Sequence, residues 1–432
     1  MQFKELNIMP AILQALENEN YVEPTPIQAE AIPVILSGRD VLGCAQTGTG
    51  KTAAFAIPTL QLLSEEKVSP TTRRNIHALI ITPTRELAIQ IEESFRKYGK
   101  YTDLRCGVIF GGVPQRQQAQ TLQRGVDILV ATPGRLLDLM NQKLVDLQYI
   151  KILILDEADR MLDMGFIHDV KKIIAKTPPK KQTLLFSATM PFAIAKMSNA
   201  LLIDPCKISI TPASSTVNMI EQSLYYVDKE HKKDMLLHIL KDQSITSALV
   251  FSGTKHGADR IVRQLNAAKI RSQAIHGDKS QGVRQLALND FKNKKLRVLV
   301  ATDIAARGID IDELSHVINF DLPNVPETYV HRIGRTGRAG LGGTAISFCD
   351  FDEKALLTQI TKLIGKSIPV IHDHPYPLVN NFPRKKNTQQ RNKAAQNEQF
   401  PKAAKSPLPK KKKKMSASGN LKEQGSKAPY WK

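Results

Sequence analysis

Cysteine and tryptophan are scarce in this 432-residue chain, which holds four Cys and one Trp. The cysteines, at positions 44, 106, 206 and 349, are far apart and lack the spacing of metal ligands. This distribution argues against both a disulfide framework and a zinc site. The chain also lacks an apolar run of about 18 residues and a basic segment followed by an apolar one at its start. We therefore expect reduced structural thiols and a cytoplasmic protein without a membrane span.

Negative charge is also in deficit, because 41 Asp and Glu residues face 61 Lys and Arg residues, which gives a net charge of +20. Residues 384–432 hold 15 Lys and Arg against Glu398 and Glu423, so +13 lies in this segment and +7 in the rest. This balance favours a polyanionic partner, and nucleic acid is favoured over an anionic membrane because no amphipathic anchor accompanies the charge. A tail that only keeps the chain in solution is the alternative.

A glycine-rich loop is the first feature that indicates a chemistry, and its residues are Ala45, Gln46, Thr47, Gly48, Thr49, Gly50, Lys51 and Thr52. Residues 40–44 before it predict a strand and residues 52–56 after it predict a helix, which is the order that phosphate-binding loops require. Glycines let backbone N–H groups approach a triphosphate, and the helix N-terminus adds positive partial charge. Lys51 can reach the outer phosphates, and the Thr52 hydroxyl can ligate Mg²⁺. Ala45 departs from the general pattern, which has glycine there.

A second group of polar residues, Asp156-Glu157-Ala158-Asp159, follows the apolar run 152–155. Parallel strands bring their carboxyl ends to one edge of a sheet, so we expect this group beside the glycine loop. Asp156 can hold Mg²⁺ through water, and Glu157 can orient and deprotonate an attacking water. A lone Asp-Glu pair after a strand is more often a helix cap, but its combination with Lys51 and Thr52 favours the catalytic interpretation.

Short apolar, β-branched runs alternate with helical patterns in two series, which predicts an α/β fold of two tandem parallel-sheet domains. The runs lie at 78–81, 107–110, 128–130, 152–155, 183–186, 224–227, 248–251, 272–275, 297–300, 317–320 and 344–348. The predicted boundaries are 1–207 for an ATP-binding domain, 208–220 for a linker, 221–370 for a C-terminal domain and 371–432 for a basic, largely disordered tail.

With the loop and the acidic group in this order, residues 3–338 resemble a DEAD-box ATP-dependent RNA helicase, and specifically the bacterial RhlE-type branch. The resemblance implies two RecA-like domains, with ATP and Mg²⁺ as cofactors. It further implies that Gln28 hydrogen-bonds the adenine edge, that Tyr21 packs against the ring with Phe3 behind it, and that Asp310 meets the ribose. Asn20 stands where the family usually has glycine.

Three further segments of the first domain resemble the family's RNA-contacting motifs: residues 83–88, Gly111-Gly112 and residues 132–135. Hydroxyls, glycine amides and guanidinium groups bind phosphate without reading bases, although each segment alone could equally be a capped helix start. The RNA-contacting residues that the resemblance implies are Thr84, Arg85, Gly111, Gly112, Thr132, Arg135, Arg284 and Thr302.

The remaining motifs concern the coupling of the two domains. Ser187-Ala188-Thr189 resembles the segment that couples the nucleotide site to unwinding, with both hydroxyls able to hydrogen-bond near Asp159. Residues 331–338 resemble a C-terminal motif of the family in which Arg335 and Arg338 contact the γ-phosphate. The resemblance also implies a coupling role for His331. Because the phosphates and these arginines lie on different domains, hydrolysis should require closure.

The sequence therefore predicts an RNA-stimulated ATPase that converts domain closure into local, non-processive unwinding of RNA duplexes or remodelling of RNA–protein complexes. An ATP-gated RNA clamp with little productive unwinding is the second hypothesis, and a DNA-directed motor is the third. Contacts to the backbone predict binding of single-stranded or duplex RNA with little sequence specificity and without a membrane partner. Ribosomal or RNA-decay proteins are compatible partners.

Overall fold

Two parallel β-sheets, each flanked by helices, follow one another along the chain. The computed structural model describes residues 1–46, 48–65, 74–210, 220–306, 314–337 and 343–380. Within these ranges the N-terminal sheet has the strand order β3-β4-β2-β5-β6-β1-β7, and the C-terminal sheet has the order β10-β11-β9-β12-β13-β8. All strand pairs described are parallel, as the alternation of strands and helices predicts. We call the two sheets with their helices the N-terminal and C-terminal lobes.

The N-terminal lobe opens with a short 3-10 helix, Phe3–Leu6. Its strands are β1 Val41–Cys44, β2 Ala78–Ile81, β3 Cys106–Ile109, β4 Ile128–Ala131, β5 Ile152–Leu155, β6 Gln182–Ser187 and β7 Cys206–Ser209. Its helices are α1 Pro10–Asn18, α2 Pro26–Leu36, α3 Lys51–Glu65, α4 Arg85–Tyr98, α5 Gln115–Arg124, α6 Pro133–Asn141, α7 Ala158–Asp163, α8 Ile167–Ile174 and α9 Phe192–Leu201.

The C-terminal lobe repeats this plan. Its strands are β8 Ile220–Tyr226, β9 Ala248–Phe251, β10 Ser272–Ile275, β11 Val298–Ala301, β12 His316–Asn319 and β13 Gly343–Cys349. Its helices are α10 Lys232–Ile239, α11 Lys255–Ala267, α12 Gln281–Lys292, α13 Asp303–Ala306, α14 Pro326–Ile333 and α15 Lys354–Ile364, with a 3-10 helix at Phe351–Glu353. No helix among the described residues has both the length and the apolar character needed to cross a bilayer.

The central strands are buried at every position, which is why their sequences are continuous apolar runs. All four residues of β2, β4 and β5 are buried, because helices cover both faces of the sheet. In the N-terminal sheet β5, β6 and β1 are neighbours, so the residues that follow them meet at one edge. The backbone N–H of Ala45 donates to the Ser187 carbonyl at 3.1 Å, which joins the start of the glycine loop to the end of β6.

The predicted limits of the two domains need correction. Strand β7 extends to Ser209 and pairs with β1, so the first two residues of the predicted linker belong to the N-terminal sheet. The predicted tail at 371 also begins too early, because Ile371 N–H donates to the Leu224 carbonyl at 2.9 Å and Leu378 N–H to the Tyr226 carbonyl at 3.0 Å. The sequence hides both segments because an edge strand and a proline-containing extension lack an apolar run.

The C-terminal lobe contains a buried charge cluster around Lys232, whose side chain is 1% exposed. Its Nζ lies 2.6 Å from Glu353 Oε2, 3.2 Å from Asp350 Oδ2 and 3.6 Å from Asp321 Oδ1. Burial lowers the pKa of Lys232, but the three carboxylates outweigh that effect and raise it above its ordinary value. Glu353 Oε1 also accepts the Leu322 N–H at 3.0 Å. The cluster around Lys232 therefore joins three separate segments of this lobe: α10, residues 321–322 and residues 350–353.

We expect Lys232→Met to destabilise the folded chain by about 3–5 kcal/mol, because removing one partner of a buried ion pair leaves the others buried and uncompensated. Chemical denaturation of the full chain, followed by circular dichroism, would measure the loss. Lys229→Met, at an exposed position, is the matched control. Equal losses for the two variants would contradict the structural role of Lys232.

Candidate functional site

The glycine loop lies between β1 and α3, as the sequence predicts, and its glycines have the conformations that the loop requires. Gly48 and Gly50 have φ of +87° and +91°, in the left-handed region that favours glycine. A Cβ on Gly50 would lie 2.3 Å from Gln28 Nε2. Lys51 begins α3, is 6% exposed, and donates from Nζ to the Ala45 carbonyl. The two ends of the loop are therefore joined by the hydrogen bond from Lys51 to Ala45.

Thr49 Oγ1 donates to the Gln46 carbonyl at 2.8 Å, which closes the first turn of the same loop. Thr47, which is part of the predicted phosphate site, lies outside the described residues.

The acidic group after β5 is buried beside this loop. Asp156 and Glu157 are 2% and 3% exposed, and Glu157 has a left-handed φ of 55°. Arg160 Nη1 lies 2.7 Å from Glu157 Oε2 and fixes one side of that carboxylate. Burial raises the pKa of Asp156 to about 7 against the pull of the Lys51 charge, and burial lowers the pKa of Lys51 against the nearby carboxylates. Charges held out of water in this way are typical of functional sites.

A cavity of about 330 Å³ joins the loop to the acidic group. The predicted residues that line it are Tyr21, Gln28, Gly48, Gly50, Lys51, Thr52, Asp156 and Glu157. Asp310 and Arg338, which we also assign to the nucleotide, lie outside the described residues.

Sequence reasoning missed a row of polar residues on α4 that lines this cavity: Gln90, Ser94 and Tyr98. They are four residues apart on α4 and so share one face of that helix, a spacing that could have identified them. Tyr98 OH donates to Tyr21 OH at 3.1 Å, and the two rings meet edge to face with centroids 5.6 Å apart. The Phe3 ring lies 6.3 Å from Tyr21, so an aromatic group forms one wall beside the cavity.

Gln28, predicted to contact the base, lines this cavity and makes two hydrogen bonds within the protein. Its Oε1 accepts the Thr25 N–H at 2.9 Å, and its Nε2 donates to the Gly50 carbonyl at 3.1 Å. The side chain therefore caps the start of α2 and supports the glycine loop at once.

The coupling group assembles around Asp159. Thr189 donates to Asp159 Oδ2 from its N–H and from its hydroxyl, both at 2.9 Å, and Asp159 N–H donates to Ser187 Oγ at 3.2 Å. Burial raises the pKa of Asp159, but the charges of Arg160, His331 and Lys51 and the Thr189 hydrogen bond outweigh it and lower the pKa. Since His331 belongs to α14, the C-terminal lobe acts electrostatically on this group.

Arg335 follows directly after α14 and Gly334, and its side chain is 4% exposed. A guanidinium is seldom buried without a partner, so this arginine has a defined place within the C-terminal lobe. Its role on the γ-phosphate stays a prediction.

A second cavity, of about 480 Å³, gathers most of the predicted RNA-contacting residues. Thr84, Arg85, Gly111, Thr132, Arg135 and Arg284 line it; of these six, Arg284 comes from the C-terminal lobe, which also contributes Gly277. Thr302 is half-buried at the end of β11 and is not part of this lining. We call this cavity the basic groove.

Three guanidinium groups, those of Arg85, Arg135 and Arg284, line the basic groove beside the carboxylates of Glu86 and Asp138. Burial lowers the pKa of Arg85, and the neighbouring charges of Arg284 and Arg135 lower it further against Glu86. Arg135 is held in place by Nη1 to Gln118 Oε1 and Nη2 to the Val113 carbonyl, each at 3.2 Å. Mutual repulsion among guanidinium groups is relieved when a polyanion binds between them.

Gly112 lies directly against the Arg85 guanidinium. Its φ is +77°, and a Cβ on it would overlap Arg85 Nη1. We expect Gly112→Ala to displace this guanidinium and weaken RNA binding by about tenfold or more, the usual value of one charged hydrogen bond. Fluorescence anisotropy with labelled single-stranded RNA would measure it. Gly165→Ala is the matched control, because Gly165 has the same φ of +77° but no atom within 4 Å of its Cβ position. Equal effects of the two variants would assign the loss to backbone strain instead.

Together, a glycine loop, buried carboxylates after the neighbouring strand and a second parallel-sheet lobe define a nucleotide-dependent motor ATPase built from two RecA-like lobes. The model of the DEAD/DEAH box helicase family matches residues 25–197, and that of the helicase conserved C-terminal domain matches residues 231–340. The chain belongs to the DEAD-box family of ATP-dependent RNA helicases.

Two bacterial relatives illustrate the similarity. The chain is 44% identical over 365 residues to the ATP-dependent RNA helicase CshA of Limosilactobacillus reuteri, which covers 84% of this chain and 72% of the relative. It is also 44% identical to the DEAD-box ATP-dependent RNA helicase CshA of Bacillus subtilis, over 83% of this chain and 71% of the relative. The family prediction is confirmed, while the names of these relatives do not support the RhlE-type branch specifically.

Solved structures confirm the fold. S. cerevisiae Dbp5 bound to RNA and ADP BeF3 is 32% identical, with a TM-score of 0.77 over 86% of this chain and 95% of that chain. Mss116p bound to ssRNA and AMP-PNP is 28% identical, with a TM-score of 0.77 over 86% and 79%. The predicted fold class, ATP dependence and RNA helicase activity are thus confirmed, and the protein binds ATP and RNA.

Proposed function

We propose that ATP hydrolysis takes place in the 330 Å³ cavity and that closure of the two lobes completes its chemistry. The observation that carries this proposal is the meeting of Lys51, Thr52, Asp156 and Glu157 in one lining. Backbone amides of the loop and Lys51 would hold the triphosphate. Glu157, held in place by Arg160, would orient and deprotonate the attacking water. Arg335 and Arg338 would stabilise the charge on the transferring phosphate.

We assign Mg²⁺ to the Thr52 hydroxyl and the Asp156 carboxylate, which line the same cavity. Both are hard oxygen donors, and Mg²⁺ keeps most of its water and takes few protein ligands in such sites. The ion would neutralise charge on the phosphates.

The basic groove would bind the RNA backbone, with single-stranded or duplex RNA as ligand and little sequence specificity. Its lining includes guanidinium groups, hydroxyls and glycine backbone, which contact phosphate and sugar but do not distinguish bases. A local distortion of the bound strand on closure would separate base pairs without processive threading.

The decisive experiment measures ATP hydrolysis with single-stranded RNA, with single-stranded DNA of the same sequence, and without nucleic acid. Strong stimulation by RNA alone supports the proposal, and equal stimulation by DNA supports a DNA-directed motor. Strand displacement should be measured beside RNA residence time. Long residence without displacement would show an ATP-gated clamp.

Deletion of residues 384–432 removes 15 basic residues and a net charge of +13. We expect RNA affinity at low salt to fall by about tenfold or more and to depend less steeply on salt, because fewer counterions are released. ATP turnover at saturating RNA should stay near that of the full chain. Replacement of the five lysines at 410–414 by glutamine keeps the length and should give part of the effect. Unchanged RNA affinity at low salt after the deletion would rule out a tethering role.

The cytoplasmic location, the RhlE-type branch and the ribosomal or RNA-decay partners stay predictions. Pull-down of the full chain with and without ribonuclease would separate direct protein partners from those bridged by RNA.

A further inference from the structure

One carboxylate in the basic groove is shared between the lobes. Glu86, in the first turn of α4, is 2% exposed, and its Oε1 accepts from Arg284 Nη2 at 2.9 Å and from Gln281 Nε2 at 2.9 Å. Both donors belong to α12 of the C-terminal lobe and are themselves buried. Glu86 and Gln281 are 195 positions apart in sequence and belong to different lobes, so their hydrogen bond exists only when the lobes meet.

The orientation of Gln281 follows from the chemistry of Glu86. A carboxylate only accepts hydrogen bonds, so the amide nitrogen of Gln281 must face it and the amide oxygen must turn away. Among the described residues Gln281 Oε1 and Arg284 Nε are buried without a hydrogen-bond partner. Polar atoms that are buried and unpaired are rare, and a ligand commonly satisfies them.

Glu86 carries the wrong charge for a groove that binds phosphates. It lines the basic groove together with Arg85 and Arg135, where its carboxylate would repel an RNA backbone. Arg284 removes that repulsion, because its guanidinium neutralises Glu86 at 2.9 Å. Glu86 therefore offers an unfavourable charge to RNA until α12 arrives, and is part of a neutral ion pair afterwards.

We propose that Glu86 is a positioning residue that couples RNA binding to lobe closure. It penalises RNA on the separated N-terminal lobe, and on closure it binds Arg284 and Gln281 and orients the Arg284 fork in the groove. This inference rests on the proposed binding of RNA in the basic groove. Its consequence is thermodynamic: part of the factor by which ATP tightens RNA binding comes from this one carboxylate.

The test compares RNA affinities with and without AMP-PNP for the wild type and Glu86→Gln, using anisotropy of a labelled single-stranded RNA. Glutamine keeps the size and an acceptor for Arg284 but removes the charge. We expect the ratio of the two affinities to fall by at least about fivefold, the lower end of typical coupling between sites. The affinity without nucleotide should become tighter, because the charge that penalises RNA on the separated lobe is gone. Glu93→Gln, an exposed residue on the same helix, is the matched control and should leave both affinities unchanged.

A double-mutant cycle identifies Arg284 as the partner, since Glu86→Gln should change the ratio little in an Arg284→Gln background. A Glu86→Gln protein that keeps the wild-type ratio overturns the inference. So does equal weakening of both affinities together with a lower melting temperature, which would show a structural role. If the wild type itself binds RNA independently of AMP-PNP, the proposed function of the groove fails, and the inference fails with it.

Discussion

We expect Arg335→Ala to lower RNA-stimulated ATP turnover by about three to five orders of magnitude, which is the contribution of an arginine finger in related chemistry. The phosphate loop belongs to the N-terminal lobe, while Arg335 follows α14 of the C-terminal lobe. The substitution would therefore remove charge stabilisation that only the assembled pair of lobes supplies. Steady-state ATP hydrolysis at saturating RNA measures it.

The Arg335 prediction separates catalysis from binding. The affinity for ATP should change much less than turnover, because an interaction made only in the transition state does not hold the ground state. Arg260→Ala, at an exposed position of α11, is the matched control and should keep wild-type turnover. If Arg335→Ala retained more than about a tenth of wild-type turnover, the finger role would be wrong.

Glu157→Gln should lower ATP turnover by about two to four orders of magnitude, the usual contribution of a general base. The variant keeps the shape of the side chain and an oxygen that can accept from Arg160, so the backbone around φ of 55° should persist. It loses only the ability to take a proton from water. Single-turnover hydrolysis in the presence of RNA measures the chemical step.

Because binding is preserved, Glu157→Gln should also hold ATP and RNA together for longer than the wild type does. Glu93→Gln is the control for the change of charge on the N-terminal lobe. Turnover within a factor of about three of the wild type would exclude Glu157 as the base.

Much of the architecture follows from the sequence because buried parallel strands must be apolar throughout. The runs at 78–81, 152–155 and 248–251 coincide with β2, β5 and β9. The glycine loop and the acidic group were also predictable, since each follows such a strand and the sheet edge gathers them.

What the sequence could not show are contacts between distant positions. Arg284 is predicted to contact RNA, but its pairing with Glu86 requires the two lobes to be brought together. Tyr98 looks like an ordinary amphipathic-helix residue until α4 is placed beside Tyr21. The extension at 371–380 contains no apolar run, and its order comes from hydrogen bonds to β8 and Asp228.

The two hydrogen bonds of Gln28 limit how this enzyme can be re-engineered. The Gln28 amide bonds both to the capped start of α2 and to the Gly50 carbonyl. The predicted base-binding end of the cavity and its phosphate loop are therefore supported by the same side chain. A designer who replaced Gln28 to admit a different nucleobase would loosen the loop in the same step. We therefore expect base preference and catalytic speed to change together when Gln28 is replaced, unless a second substitution restores support beneath the loop.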